Sequence, residues 1–347
     1  MSASRITFVE GQATQPQALE RVVAHVRERL AQAGLERLTG AERPLFTGIG
    51  ASYAALAVPV ATLRAEGVVT QRVLADEIED GTRGFETDLL VGVSQGGRSS
   101  ETIAAFKAAG PVPTLAVLNV TPSPLGDLAD LRVDLGNEPD SYASTNGFTG
   151  TVVALDLIAG AIAGRADDPW DGIAGRVSVV RAGAAGVIEG LRARVARCTS
   201  ADVVASGASR ASAEEGALLL REVVRMPATA SVTRTYLHGE MESAGGTLHV
   251  VFGDGREVEL ARSLAGAGHQ TLLVTTGEVA PGEDLAVVRL PACAPAVRVV
   301  LETVVVQELV AALSDERGIP IESFVFANDD TKEGGVDPAD FLIASPV

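Results

Sequence analysis

The sequence predicts an α/β protein made of two copies of one αβα unit, each built on a parallel sheet. Three observations carry this expectation. Short strand-like apolar runs alternate with runs of helical spacing, the arrangement that right-handed crossovers turn into a parallel sheet. The composition is rich in Ala, Val, Gly and Leu, 46% hydrophobic and only 4% aromatic, which suits thin helices layered on a sheet. The order of elements also restarts after a break at residues 164–171 (GRADDPWD). Both halves then read strand, Gly/Ser turn, helix and, last, a long apolar helix.

The elements follow in order. Residues 15–38 carry Leu19, Val22, Val23, Val26, Leu30 and Leu35 on one stripe and predict an amphipathic helix. A short strand at 44–48 (PLFTG) turns through IGASY into an apolar helix at 54–66. Strand 68–74 and an acidic stretch at 76–80 lead to strand 88–93 (DLLVGV), the loop SQGGRSSE, and a helix from Thr102 to about 109. Strands follow at 113–120 and 131–135, separated by a turn with a short helix in TPSPLGDLAD. YASTNGFTG (142–150) introduces the long apolar helix 152–163, and a helix rich in Ala and Arg spans 177–196. The second half has strands at 201–206, 228–233, 247–252, 271–275 and 285–290. Its helices lie in 207–224, 258–267 and 297–313. The expected organisation is an N-terminal helical segment (1–43), a first αβα unit (44–165), a connecting helix (166–197), a second unit (198–317) and an ordered extension rich in Pro and Gly (318–347).

Charge and composition narrow the function. A net charge of −17 disfavours nucleic acid and anionic membranes as partners, and obliges any anionic ligand to be held by local dipoles. No apolar run is read as long enough to cross a bilayer, and MSASRITFVEGQ lacks the basic and apolar regions of a signal peptide. Cys198 and Cys293 stand far apart with no CxxC, as expected of reduced thiols in a cytoplasmic protein. Only two lysines occur, Lys107 and Lys332.

The stretch VGVSQGGRSSET (91–102) organises the first half. A strand feeding a Gly/Ser loop that opens a helix holds anions, because backbone N–H groups converge at the positive end of the helix. The plain alternative is a capped βα turn. Ser52, Ser94, Gln95, Ser99, Ser144 and Thr145 all fall after strands, where an open parallel sheet presents its ligand crevice. GIGASY lacks the third glycine of a dinucleotide fingerprint, having Tyr53 there, and no GxxxxGK[ST] occurs, so neither NAD nor ATP is expected. No HxH, HExxH or Cys cluster suggests a metal. Glu222 sits in GALLLREVV among apolar residues. There a carboxyl can shuttle protons near neutral pH, or can simply lie on a solvated face. Of the four histidines, His238 in YLHGEME lies in an irregular polar segment.

GASY, SQGGRSSET, ASTNGFT and EEGALLLREV with LHGEME occur in this order across residues 20–315. In these motifs the sequence resembles the SIS (sugar isomerase) domain family. The likeness is to the isomerase domain of glucosamine-6-phosphate synthase and to fructosamine-phosphate deglycases. The resemblance implies two flavodoxin-like subdomains in a homodimer whose sites are shared between subunits. It implies phosphate- and sugar-binding roles for Ser52, Ser94, Gln95, Gly96, Ser99, Thr102, Ser144 and Thr145. Glu222 is implied as the acid/base between C1 and C2, and His238 as the ring-opening residue supplied by the partner subunit. Lys332, in NDDTKEGG, stands in for a Schiff-base lysine. The activity implied is aldose–ketose isomerisation of a sugar phosphate, or amine release from an amino-sugar or fructosamine phosphate, without metal or cofactor. The alternative is a non-catalytic regulatory protein that binds the same ligand. Departures from the family pattern are Gly96 in place of a hydroxyl residue, Arg98 where Glu is common, Leu219 in place of a lysine before Glu222, and Glu240 in HGE.

Overall fold

Among the described residues, ten strands form two five-stranded sheets in which every strand pairing is parallel. The computed structural model describes residues 5–32, 38, 40–78, 80–326 and 328–336. They divide into one unit that runs to Ile173 and resumes at Phe324, and a second unit, Ala174–Ser323.

The first sheet comprises β1 (Pro44–Gly48), β2 (Gln71–Leu74), β3 (Leu89–Val93), β4 (Thr114–Leu118) and β5 (Leu131–Asp134), ordered β2-β1-β3-β4-β5. The second comprises β6 (Ser200–Ala205), β7 (Ala228–Val232), β8 (Thr247–Phe252), β9 (Thr271–Thr275) and β10 (Leu285–Arg289), in the equivalent order β7-β6-β8-β9-β10. Both have the flavodoxin order 2-1-3-4-5, in which the chain reverses direction between the first and third strands and opens a crevice there. The helices are α1 (Phe8–Leu30), α2 (Ala51–Ala55), α3 (Ala57–Ala65), α4 (Ser100–Ala108), α5 (Pro124–Leu128), α6 (Asn146–Ala163), α7 (Ile173–Val195), α8 (Arg210–Glu222), α9 (Thr233–Tyr236), α10 (Arg256–Gly266) and α11 (Pro295–Arg317).

Local chemistry sets several boundaries where periodicity did not. The first helix starts at Phe8, not at 15. Thr7 and Glu10 form a capping box, the Glu10 N–H donating to Thr7 Oγ1 at 3.2 Å and the Thr7 N–H to Glu10 Oε2 at 2.8 Å. It ends at Leu30; residues 33–37, in the expected C-terminal part, lie outside the described residues. The single helix expected over 54–66 is broken at Leu56. Pro59 has no N–H to donate to the Ala55 carbonyl four residues back, which explains the break. The long helix α6 begins six residues earlier than its apolar spacing suggests, at the Ser144-Thr145 turn.

α6 also corrects the reading that no run suits a bilayer: by length and composition it does. Sixteen of its residues are buried within the first unit, where α1 and α3 pack on it, so it is the core helix of a layer. On the other face Leu45, Leu90, Ile103, Phe106, Leu118 and Leu125 form an apolar cluster beneath α4. The Phe106 ring lies on Gly92, where a Cβ would come within 2.2 Å of it. That close approach accounts for the glycine in the strand run LLVGV. In the second unit Val203 of β6 and Val306 of α11 both pack against Gly216 of α8, whereas the next residue, Val204, packs with Tyr236, Leu260 and Leu264. Consecutive strand residues face opposite ways, so α8 and α11 cover one face and α9 and α10 the other.

Candidate active site

The crevice of the first sheet lies where β1 and β3 pair side by side. Ser94 directly follows β3, and its Oγ is 3.0 Å from the Oγ of Ser99, the N-cap residue of α4; both side chains are buried. The Ser99 N–H points at Ser94 Oγ from 3.4 Å. Gly97 makes the turn with φ +63°, its N–H donating to the Ser94 carbonyl at 3.0 Å, and a Cβ there would lie 2.2 Å from Ser123 Oγ. Only glycine meets both demands. Ser123 Oγ and Thr102 Oγ1 are buried hydroxyls with no hydrogen-bond partner among the described residues. Gly96 borders open space: nothing lies within 4 Å of a Cβ there. From β1, Ser52 in the first turn of α2 is half-buried, and Gly48 brings that turn close to the Val93 carbonyl at the end of β3.

A buried acid absent from the sequence expectations ties this loop to the next. Asp140 accepts hydrogen bonds from Gln95 Nε2 (2.6 Å), Ser144 Oγ (2.7 Å), the Thr145 N–H (2.9 Å) and Thr145 Oγ1 (3.0 Å). Burial pushes its carboxyl above the ordinary range, against the pull of these donors. Three expected ligand contacts are thereby gathered on one carboxylate. Thr145 is wholly buried, shares its hydroxyl with Ser141 at 3.1 Å, and is braced by Gln15 of α1. Ser144 is half-buried and accepts the Phe148 N–H at 2.8 Å, capping α6.

The C-terminal segment reaches the same loop. Lys332 pairs with Ser99 in an antiparallel bridge, and the Glu333 N–H donates to the Arg98 carbonyl at 2.8 Å. The Arg98 guanidinium donates to the carbonyls of Glu333 (3.0 Å) and Gly335 (2.6 Å).

The second unit holds the remaining two expected residues. Glu222 closes α8, beside fully buried Leu219 and Leu220, and has no hydrogen-bond or ion-pair partner among the described residues. Burial pushes its carboxyl up to about 7, the range in which a group both takes and returns protons at neutral pH. His238 is exposed after α9, its N–H bonded to the Thr235 carbonyl. Glu222, at the end of α8, and His238, just after α9, thus follow helices on opposite faces of the sheet, next to its edge strand β7, and no hydrogen bond among the described residues joins them.

The second sheet's own crevice is filled from within. Glu302, fully buried, accepts from Ser209 Oγ (3.0 Å), Ser212 Oγ (2.8 Å) and Arg298 Nε (2.7 Å). Arg298 also donates to Asp254 Oδ2 at 2.5 Å, and Asp254 accepts from Thr275 Oγ1 and the Thr276 N–H. The Gly/Ser turn of the second half is therefore satisfied by an internal ion network. Sequence spacing gave no sign of it, because the partners lie up to 93 residues apart.

Residues 37–161 match the model of the SIS domain. The sequence matches none of the curated proteins. Among solved structures, the C-terminal domain of glucosamine-fructose-6-phosphate aminotransferase from Francisella tularensis is similar at TM-score 0.78 and 19% identity, over 90% of this chain and 97% of that one. Tagatose-6-phosphate ketose/aldose isomerase from Escherichia coli gives 0.73 and 16%, over 90% and 93%. Glucosamine-6-phosphate deaminase from Thermotoga maritima gives 0.67 and 19%, over 87% and 94%. At these identities the likeness is one of fold.

Proposed function

The chain carries a SIS domain at residues 37–161, and from that premise we propose that it is an enzyme acting on a phosphorylated sugar. The observation that carries this reading is the first crevice: buried Ser94 and Ser99 hydroxyls at the N-terminus of α4, joined through Gln95 and Asp140 to Ser144. A phosphate monoester suits that end, where the helix dipole, N–H groups and hydroxyls compensate for the repulsive net charge. The names of the three structural neighbours given above concern sugar 6-phosphates and agree with this reading.

Ser94, Ser99, Thr102 and Ser52 take the phosphate oxygens in this account. Ser144 contacts the sugar, while Thr145 positions it. His238 moves a proton at the ring oxygen to open the ring. Ionised Glu222 then removes the proton from the carbon next to the carbonyl while the carbonyl oxygen takes up a proton, giving the enediol; the same carboxyl returns the carbon-bound proton to the former carbonyl carbon as the neighbouring hydroxyl releases its own. The balance is an internal redox exchange, aldose to ketose, with no outside electron acceptor. With an amino-sugar or fructosamine phosphate, the same proton transfer gives an enamine, and water replaces the departing amine. Acid–base catalysis of this kind contributes about 10²–10⁴-fold. A homodimer that supplies His238 from the second subunit fits its origin on the face opposite Glu222.

Calorimetric titration with fructose 6-phosphate and with fructose tests the assignment. Ser94→Ala with Ser99→Ala is expected to weaken the phosphorylated ligand at least tenfold, since hydrogen bonds to a charged group contribute about 1.5–3 kcal/mol each. Any affinity for fructose should stay unchanged. Equal losses for both ligands overturn the assignment.

A further inference from the structure

Arg98 stands where the family that the sequence resembles commonly has Glu, and its guanidinium makes no ion pair with an acidic side chain among the described residues. It spends its fork on two carbonyl oxygens, those of Glu333 and Gly335, while its own carbonyl accepts the Glu333 N–H. The segment it grips has a fold of its own. The Thr331 N–H donates to the Asn328 carbonyl, the Gly335 N–H to the Lys332 carbonyl, and the Val336 N–H to Asp329 Oδ1. Gly334 and Gly335 both have φ +79°, which turns the carbonyls of this short stretch toward the guanidinium. The result seats Lys332 in backbone register with Ser99, whose hydroxyl is 3.0 Å from that of Ser94.

We propose that Arg98 is a positioning residue that latches segment 328–336 onto the anion loop. The latch makes the segment part of the ligand site and gives a phosphate monoester dianion the positive charge of Lys332. The proposal rests on reading the Ser94–Ser99 loop as an anion site. Three features carry it. The segment docks on the loop itself, through the residue adjoining the N-cap of α4. The grip consists of charge-assisted bonds to backbone oxygens, so it holds the segment's path and not one side chain. And in a chain with a net charge of −17 and two lysines, one lysine is set opposite the N-cap serine. Linkage then requires reciprocity: an anion on the loop tightens the docked segment, and a docked segment tightens the anion.

The test measures amide hydrogen exchange and inorganic phosphate affinity on the full chain. In the wild type, phosphate should slow exchange at the Glu333 amide. Arg98→Ala should speed that exchange at least tenfold, abolish its response to phosphate, and weaken phosphate binding at least fivefold, with the melting temperature held within 2 °C. Arg98→Lys should restore little, because an ammonium cannot span both carbonyls as the planar fork does. Lys332→Met should weaken phosphate to a similar degree while leaving the Glu333 amide protected. The latch is overturned if Arg98→Ala leaves phosphate affinity unchanged while Ser94→Ala abolishes it. If Ser94→Ala also has no effect, the anion reading fails, and the latch's role in binding fails with it.

Discussion

Replacing Glu222 by Gln should stabilise the protein in a pH-dependent way. In the folded chain burial pushes the Glu222 carboxyl up to about 7 from its ordinary value of 4.5. The native state therefore binds this proton more tightly than the unfolded chain does. Stability from this group is complete below pH 4.5 and is lost as pH rises to about 7. Ionising it in place costs about 3 kcal/mol; since the side chain keeps some contact with solvent, about 1–3 kcal/mol is the expected effect. Gln has the same shape and carries no charge at any pH. The variant should match the wild type at pH 4.5 and melt higher at pH 8, by roughly 2–10 °C for a unit of this size. Parallel thermal melts from pH 4.5 to 8 provide the assay. A difference between the proteins that is constant with pH refutes the argument, because it would mean that Glu222 titrates as an ordinary exposed carboxylate. In the function proposed, this destabilisation at neutral pH is the cost of keeping Glu222 poised to shuttle protons.

Asp140→Asn should lower the melting transition of the first unit, by about 2–4 kcal/mol. An amide offers one acceptor oxygen where the carboxylate serves four donors, leaving two facing an NH2. A melting temperature within 1 °C of wild type contradicts the hub role. Gly96→Ser should fold normally, because the position has no neighbour within 4 Å and lacks a left-handed φ. Its added hydroxyl should tighten inorganic phosphate about fivefold, equivalent to one net hydrogen bond of about 1 kcal/mol. No change on titration would place that position away from the anion.

Much of the architecture was legible because parallel sheets write themselves as apolar runs. PLFTG, LLVGV, TLAVL, TLHVVF and TLLVT are buried along their whole length, and strand positions read from them hold to within a few residues. The capping box at Thr7 was readable in principle; a stripe of leucines and valines further on drew the boundary to 15. Pro59 was likewise visible, and its effect on one hydrogen bond decides between one helix and two. The loop serines could be found because chemistry and strand ends coincide in sequence. Asp140 could not, since its significance comes from Gln95, 45 residues away, and from burial. Arg98 and the carbonyls of Glu333 and Gly335 are separated by more than 230 residues. No local pattern encodes a contact between a side chain and a distant backbone.

The most direct measurement of the central claim is proton exchange in D2O. Wild-type protein is incubated with a panel of hexose 6-phosphates, and the C1 and C2 positions are followed by NMR. The account predicts deuterium incorporation into at least one of them by the wild type. Glu222→Gln should slow incorporation at least 10²-fold while binding that sugar phosphate with unchanged affinity. Exchange at the wild-type rate by the Gln variant would show that Glu222 is not the base. No exchange by the wild type into any sugar that it binds would contradict the catalytic reading itself.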